Sequence, residues 1–240
     1  MTGPTERLRE LSQRHALPDA ALAQLSALIE LVAEDDTAPT TIRDPAEAVD
    51  RHLADSLVAL ELAQVRSAAR VADVGSGVGF PGLALAAALP ASAVVLVEGA
   101  ARNCRFLDRA VTAMGLENVR VVHARAEEWS DGTAANDLVT ARALAALPVV
   151  LEYAAPLLAP GGALVAWKGR RDPAEETDAE AAARQLGLEL VAVSAVKPFA
   201  AARHRHLYVY EKVAAMPDRF PRRAGIARKR PLSAGSGKIG

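Results

Sequence analysis

The stretch Arg70–Gly82, RVADVGSGVGFPG, decides the fold. Val71, Ala72 and Val74 suit a strand buried on both faces, and Gly75, Gly77 and Gly79 remove every Cβ where the chain turns and a ligand approaches the backbone. Asp73 places a carboxylate at the carboxyl end of that strand. In an open α/β sheet this edge is where ligands bind, so the stretch predicts a nucleotide-like cofactor lying across the turn.

Downstream the chain alternates regularly. Apolar runs predict strands near 93–98, 119–123, 136–141 and 162–167, separated by helices near 81–89, 100–115, 143–158 and 174–187, the pattern of a parallel sheet covered on both faces. Two last runs, 188–196 and 206–212, are joined by a loop too short for a crossover helix and should pair antiparallel. A mostly parallel seven-stranded α/β sheet that ends in an antiparallel hairpin resembles the Rossmann-like class I methyltransferases more than the dinucleotide-binding domains. Upstream, residues 5–65 read as helical: Pro18-Asp19 opens one helix that runs through Glu34, and Asp44 caps another that begins at Pro45. Val49, Leu53, Leu57 and Leu60 give the second an apolar stripe. The i,i+4 spacing of Arg51 with Asp55 and of His52 with Ser56 predicts a surface ion pair and a helix hydroxyl contact. The expected division is a helical extension over 1–65 packed on the core, a catalytic domain over 66–215 and a basic arm over 216–240.

With 240 residues, 51% hydrophobic and 24% charged, the chain has the composition of a soluble globular protein. No apolar run approaches the roughly 18 residues of a membrane span, the start is too polar for a signal peptide, and the expected compartment is the cytoplasm. The one cysteine, Cys104, forbids an internal disulfide and falls in register with Leu107, Val111 and Met114, which predicts a small core residue. Charge is unevenly spread: from Arg203 to Gly240 there are ten Lys or Arg against two acids. Such an end suggests a polyanion partner, or else a flexible, solvated tail that orders on contact. The five histidines follow no metal-binding spacing, so no metal is expected. Arg102, Arg105 and Arg109 share a helix face, read first as solvated and second as a phosphate contact.

The glycine turn has two registers. Gly77–Gly82 matches the dinucleotide form GxGxxG, but that reading leaves Asp73 close to a bound pyrophosphate, where like charges cost affinity. Asp73-Val-Gly75-Ser-Gly77-Val-Gly79 matches the form in which an acid two residues before the first glycine faces the amino-acid part of S-adenosyl-L-methionine. Glu98, at the end of the second strand, suits ribose hydroxyls in either cofactor. Ala126 and Glu127 stand after the third strand, where such enzymes hold the adenine edge; solvated loop acids are the equal alternative. On the acceptor side, Thr140-Ala141-Arg142-Ala143 replaces the Asp/Asn-Pro-Pro-aromatic turn of exocyclic-amine methylation, and Cys104 is placed wrongly for addition to cytosine. A ring nitrogen with a free lone pair, such as guanine N7, remains; it needs alignment and charge control but no general base. Arg142 then orients cofactor or base, with a structural salt bridge as the alternative.

Taken together, RDPAEAVDRHLADSL (43–57), VADVGSGVGFPGLALA (71–86), RNCRFLDRAV (102–111), RAEEW (125–129), TARALA (140–145), WKG (167–169), RHLYVYEK (205–212) and PRRAGIARKRPL (221–232) resemble the GidB/RsmG family of bacterial ribosomal RNA methyltransferases. The resemblance implies methyl transfer from S-adenosyl-L-methionine to N7 of a guanine in the decoding region of 16S rRNA, free or in the small ribosomal subunit, by a protein expected to be a monomer. It implies that Gly75, Phe80, Ala126, Glu127 and Arg142 line the cofactor site. It further implies RNA contacts at Lys168, Arg205 and His206, and in the arm at Arg222, Arg223, Arg228, Lys229 and Arg230. The family's aromatic-asparagine segment ending Asn-Leu-Thr is replaced by AEDDTAPTTIRDP (33–45). The rival readings are ribose 2′-O methylation, a non-catalytic RNA-binding assembly factor that keeps the fold, and a dinucleotide-dependent oxidoreductase.

Overall fold

The computed structural model describes residues 3–237. Strand β1 (Arg70–Val74) lies at the centre of a seven-stranded sheet with β2 (Ala93–Glu98), β3 (Val119–His123), β4 (Asn136–Arg142), β5 (Leu158–Lys168), β6 (Leu188–Val196) and β7 (Arg205–Lys212). The order is β3-β2-β1-β4-β5-β7-β6, parallel except for β7, which runs antiparallel to both β5 and β6. The predicted terminal hairpin therefore inserts its second strand between β5 and its first. Strand order reverses between β2 and β4 on either side of β1, and the crevice at such a switch point is where an open α/β sheet binds ligands.

Helices α1 (Pro4–His15), α2 (Asp19–Glu34), α3 (Pro45–Ala48), α4 (Asp55–Leu57) and α5 (Ala63–Arg66) precede the sheet; α6 (Gly82–Ala88), α7 (Ala101–Met114), α8 (Leu147–Ala154) and α9 (Pro173–Leu186) cross between strands, and α10 (Ile226–Lys229) follows them. Each face of the sheet has its own core. One joins Val71, Leu96 and Leu138 to the N-terminal helices, α6 and α7; the other joins Ala72, Val74 and Val139 to α8, α9 and the segment after Met216. Alanine-rich faces, Ala84 to Ala87 in α6 and Ala179 to Ala183 in α9, let these helices lie close on the strands.

Several boundaries move. Helix α8 starts at Leu147, later than the predicted 143, because Ala143 takes a left-handed φ of +54° and Pro148 suits only a first turn. Strand β5 begins at Leu158 and runs past its predicted start. The apolar stripe of the second predicted helix is buried as expected, but residues 45–61 are not one regular helix. Asp44 caps α3 by accepting from Glu47 N at 2.8 Å, then residues 49–54 widen into a π-helix before α4, and 58–61 tighten into a 3-10 turn. The π stretch shifts the angular register, so Arg51 and Asp55 no longer face each other. Arg51 instead pairs with Glu47, and the predicted surface ion pair with Asp55 does not form. Ser56 makes the expected hydroxyl contact, donating to the His52 carbonyl at 2.6 Å.

The segment after Met216 is docked and not solvent-directed. Phe220, Ala227 and Leu232 are buried against α8, and Arg222 Nε donates to Glu152 Oε1 at 2.7 Å while its Nη2 reaches the other carboxylate oxygen. Glu152 is only 1% exposed, so Arg222 is the counter-charge of a buried acid. Of the alternatives for this segment, an arm that orders on contact or a flexible tail, neither describes it: composition reports its charge, while Phe220, Ala227 and Leu232 determine its position. Cys104 is buried as expected, its Sγ donating to the Glu98 carbonyl. No helix of the described residues is long and apolar enough to cross a membrane.

Candidate functional site

Two clefts open side by side at the carboxyl edge of β1, β2 and β4. The first, about 430 Å³, is lined by Gly75, Glu98, Ala126, Glu127, Leu144 and Tyr153, among others. It lies over the glycine turn. Gly75 has φ +69°, and a Cβ there would stand 2.5 Å from Leu144 Cδ1, so only glycine leaves this floor open. Glu98 holds the turn from the side: its Oε2 accepts from Gly77 N at 2.9 Å and its Oε1 from Ala100 N at 2.8 Å. Each oxygen retains a second lone pair, and the residue lines the cleft. Glu127 accepts from Gly225 N at 2.9 Å, which ties the segment after Met216 to the cleft wall.

Asp73 does not line this cleft. It is 1% exposed beneath the turn, where Thr140 Oγ1 donates to Oδ1 at 2.7 Å and Gly82 N to Oδ2 at 3.3 Å. Burial pushes its carboxyl pKa up, opposed by the Thr140, Ser76 and Gly82 donors. A Cβ on Gly82 would collide with Leu96 and with the Asp73 carboxylate, so the start of α6 is pressed onto this acid. Asp73 thus braces the strand, turn and helix; the expected direct view of a ligand's amino-acid part is replaced by support from below. Gly79 turns away from the cleft and sets α6, its carbonyl accepting from Leu83 N.

The second cleft, about 310 Å³, is lined by Ile42, Arg51, His52, Asp55, Arg142, Lys168 and Arg205, among others. Arg142, at the end of β4, donates from Nη1 to Asp55 Oδ2 at 3.1 Å and to the Arg51 carbonyl at 3.2 Å, and from Nη2 to His52 Nδ1 at 3.3 Å. Desolvation draws the guanidinium pKa down while Asp55 holds it up. Arg205 Nε stands 3.3 Å from the other Asp55 oxygen, and Trp167 Nε1 donates to the Asp55 carbonyl at 2.7 Å. His52 stacks on Phe80 with centroids 4.6 Å apart, and Arg142 lies over the same ring at 5.5 Å. Burial, then the Arg142 and Arg51 charges, lower the His52 pKa to about 3, so the ring is neutral near pH 7. With Nδ1 accepting from Arg142, the proton sits on Nε2 and is donated to Thr40 Oγ1 at 3.2 Å.

The structure thus brings Gly75, Glu98, Ala126 and Glu127 to one cleft and Arg142, Lys168 and Arg205 to the other, with Phe80 packed between turn and helix. Lys168 is held by Glu175, and His206 donates from Nδ1 to the Gly169 carbonyl at 2.7 Å. Arg223, Lys229 and Arg230 are exposed. Arg222 turns inward to Glu152, and Arg228, although exposed, lines the first cleft. His52 and Asp55 were within the recognised segment 43–57, but helical spacing alone gives Asp55 a surface ion pair and His52 only a hydroxyl contact with Ser56. Tyr153 and Leu144 carry no sequence signal. No group of three or more His, Cys, Asp or Glu among the described residues is arranged to hold a metal.

A switch-point cleft over a glycine turn, an acid at the end of β2 and a reversed β7 define a methyltransferase of the Rossmann-like class. A SAM-dependent methyltransferase from Aquifex aeolicus superposes with a TM-score of 0.53 at 16% identity, over 70% of this chain and 93% of its own, and the Methanococcus jannaschii fibrillarin pre-rRNA processing protein with 0.52 at 17%, over 64% and 70%; at such identities they share the fold. The family model GidB, rRNA small subunit methyltransferase G, matches residues 21–208. The chain is 39% identical to the ribosomal RNA small subunit methyltransferase G of Desulfitobacterium hafniense (strain Y51), over 80% of this chain and 81% of that one. It is 40% identical to the protein of that name from Chloroflexus aggregans (strain MD-66 / DSM 9485), over 97% and 100%. The chain belongs to this GidB family.

The residues present fit S-adenosylmethionine, the donor of this class. The first cleft has a volume within the about 300–1,000 Å³ of small-molecule sites, a floor kept open by Gly75, and a carboxylate with free lone pairs at Glu98.

Proposed function

We propose that the protein methylates N7 of a guanine in the decoding region of 16S rRNA, acting as a cytoplasmic monomer. The observation that supports this reading is that the second cleft holds its groups fixed and offers no free base: its histidine is neutral and already accepts from Arg142, and its arginine is held by three partners. Guanine N7 has its own lone pair, so the site requires orientation and no proton acceptor. S-adenosylmethionine supplies an electrophilic methyl group.

Glu98 accepts from ribose hydroxyls, Glu127 and the Ala126 backbone hold the adenine edge, and Gly75 lets the ligand lie on the turn. Asp73, Gly77 and Gly79 keep that turn in shape. Phe80 acts from behind it, setting His52 and Arg142. Arg142 is the catalytic orienting group: held by Asp55 and His52, it keeps its remaining N–H bonds aimed at an acceptor such as guanine O6, beside the reacting nitrogen. Lys168 and Arg205 line the second cleft as positions for RNA, with His206 behind them on the Gly169 carbonyl, and Arg223, Lys229 and Arg230 supply charge for phosphates at a distance. Arg222 contributes to RNA binding only by keeping that segment docked.

Small ribosomal subunits and naked 16S rRNA are incubated in parallel with protein and S-adenosylmethionine, and the RNA is reduced and cleaved with aniline. A new cleavage at one guanine supports the proposal, and its relative yield identifies the preferred substrate. Methylated ribose in place of 7-methylguanosine, or no methylation, overturns it.

A further inference from the structure

Composition marks the residues after Met216 as an RNA arm, but one of their arginines faces the other way. Arg228 stands at the mouth of the first cleft, donating from Nη2 to the Leu144 carbonyl at 3.1 Å. Leu144 is the residue that meets Gly75 on the cleft floor. On its other side Arg228 neighbours Tyr153, a buried phenol whose pKa is raised by burial and by Glu127 and lowered by Arg228. A guanidinium has five donors in one plane, and the Leu144 carbonyl takes one of them.

The backbone around Arg228 is committed to the same wall. Gly225 N donates to Glu127, Ala227 is 3% exposed, and the Arg222 to Glu152 pair anchors the turn before α10. The docked segment and the Ala126–Glu127 edge therefore form one continuous wall of the cleft. A planar cation held by the Leu144 carbonyl beside an edge that receives adenine is placed to pack on the purine face, as arginine does on aromatic rings.

We propose that Arg228 is a cofactor-contacting residue whose guanidinium packs on the purine of the bound nucleoside, making residues 217–235 the outer wall of the cofactor cleft. The proposal rests on the reading of this cleft as the S-adenosylmethionine site. It assigns Arg228 to the cofactor, in place of the RNA contact that the family resemblance implies.

Calorimetry on the full chain tests it with two ligands: S-adenosylhomocysteine, and 5′-methylthioadenosine, which keeps the purine and ribose but lacks the amino-acid part. Arg228→Ala is expected to weaken both about tenfold, and Arg228→Lys nearly as much because the plane is lost while the charge stays. Arg184→Ala, on the exposed face of α9, is expected to bind both as the unsubstituted protein does. Wild-type affinity of Arg228→Ala for both ligands overturns the proposal and leaves the cofactor reading standing. Loss of S-adenosylhomocysteine alone overturns it too, since the guanidinium then serves the amino-acid end. If the unsubstituted protein binds neither ligand, the cofactor reading fails and takes the proposal with it.

Discussion

The first cleft draws most of its walls from three successive strand ends, those of β1, β2 and β3, whereas the second is closed by partners from distant parts of the chain: Arg142 is held by Arg51 and Asp55, 91 and 87 residues earlier. In the first, backbone amides and the shape of a turn do the positioning. In the second, buried charges hold one another. The first is therefore sensitive to an added Cβ on its floor; the second is sensitive to the loss of any one charge.

The largest expected effect lies on the second side. Asp55→Ala leaves Arg142 buried without its carboxylate and frees Arg205, so unfolding free energy is expected to fall by roughly 3–5 kcal/mol in denaturant titration. A loss below about 1 kcal/mol would erase the contrast between the two clefts. On the first side, Gly75→Ala adds a Cβ against Leu144 at a left-handed φ and is expected to cost about 1–3 kcal/mol, read as roughly 5- to 150-fold weaker S-adenosylhomocysteine binding in calorimetry. Unchanged affinity would show that the turn floor is not where the ligand lies.

A pH titration sharpens the comparison further. His52 has a folded pKa of about 3 against an ordinary 6.5, so below 6.5 the unfolded chain takes up a proton that the folded chain refuses. Its contribution is complete above pH 6.5 and is lost as pH falls toward 3, at about 1.4 kcal/mol per pH unit. Denaturant midpoints between pH 7 and 5 are expected to decline with this slope, and to decline less in His52→Gln. Equal slopes in both proteins would mean that another group carries the acid sensitivity. The smallest effect is at the periphery: replacing Arg223, Lys229 or Arg230 singly by Ala is expected to lower RNA affinity modestly and to reduce the salt slope by about one for each phosphate contact removed. Filter binding at graded salt measures it, and an unchanged slope removes that residue from the RNA surface.

The sheet was legible because its signals are local. Val71 to Val74 alternate with nothing, the glycines follow at once, and the short 196–206 connection forces β7 to reverse. The first cleft was legible for the same reason, since each of Gly75, Glu98 and Ala126–Glu127 follows its own strand. Asp73 shows the limit of that reading: position along the chain identifies it, but the depth at which Thr140 and Gly82 enclose it appears only in three dimensions. The pairing of Asp55 was misassigned because the i,i+4 rule presumes an α-helix, and residues 49–54 are not one, whereas the His52–Ser56 contact at the same spacing does form. The docking of the segment after Met216 was not legible because ten basic residues from Arg203 onward outweigh, in any compositional measure, the three apolar side chains and one buried glutamate that dock it.

Glu152 gives that docking a meaning beyond ligand binding. It is an interior anion whose only ion pair among the described residues is with Arg222. A molecule cut between β7 and Phe220 that sheds its last segment leaves the Glu152 carboxylate, near the C-terminal end of α8, without its counter-charge. Loss of a surface segment is thereby felt by a charge in the core beneath it.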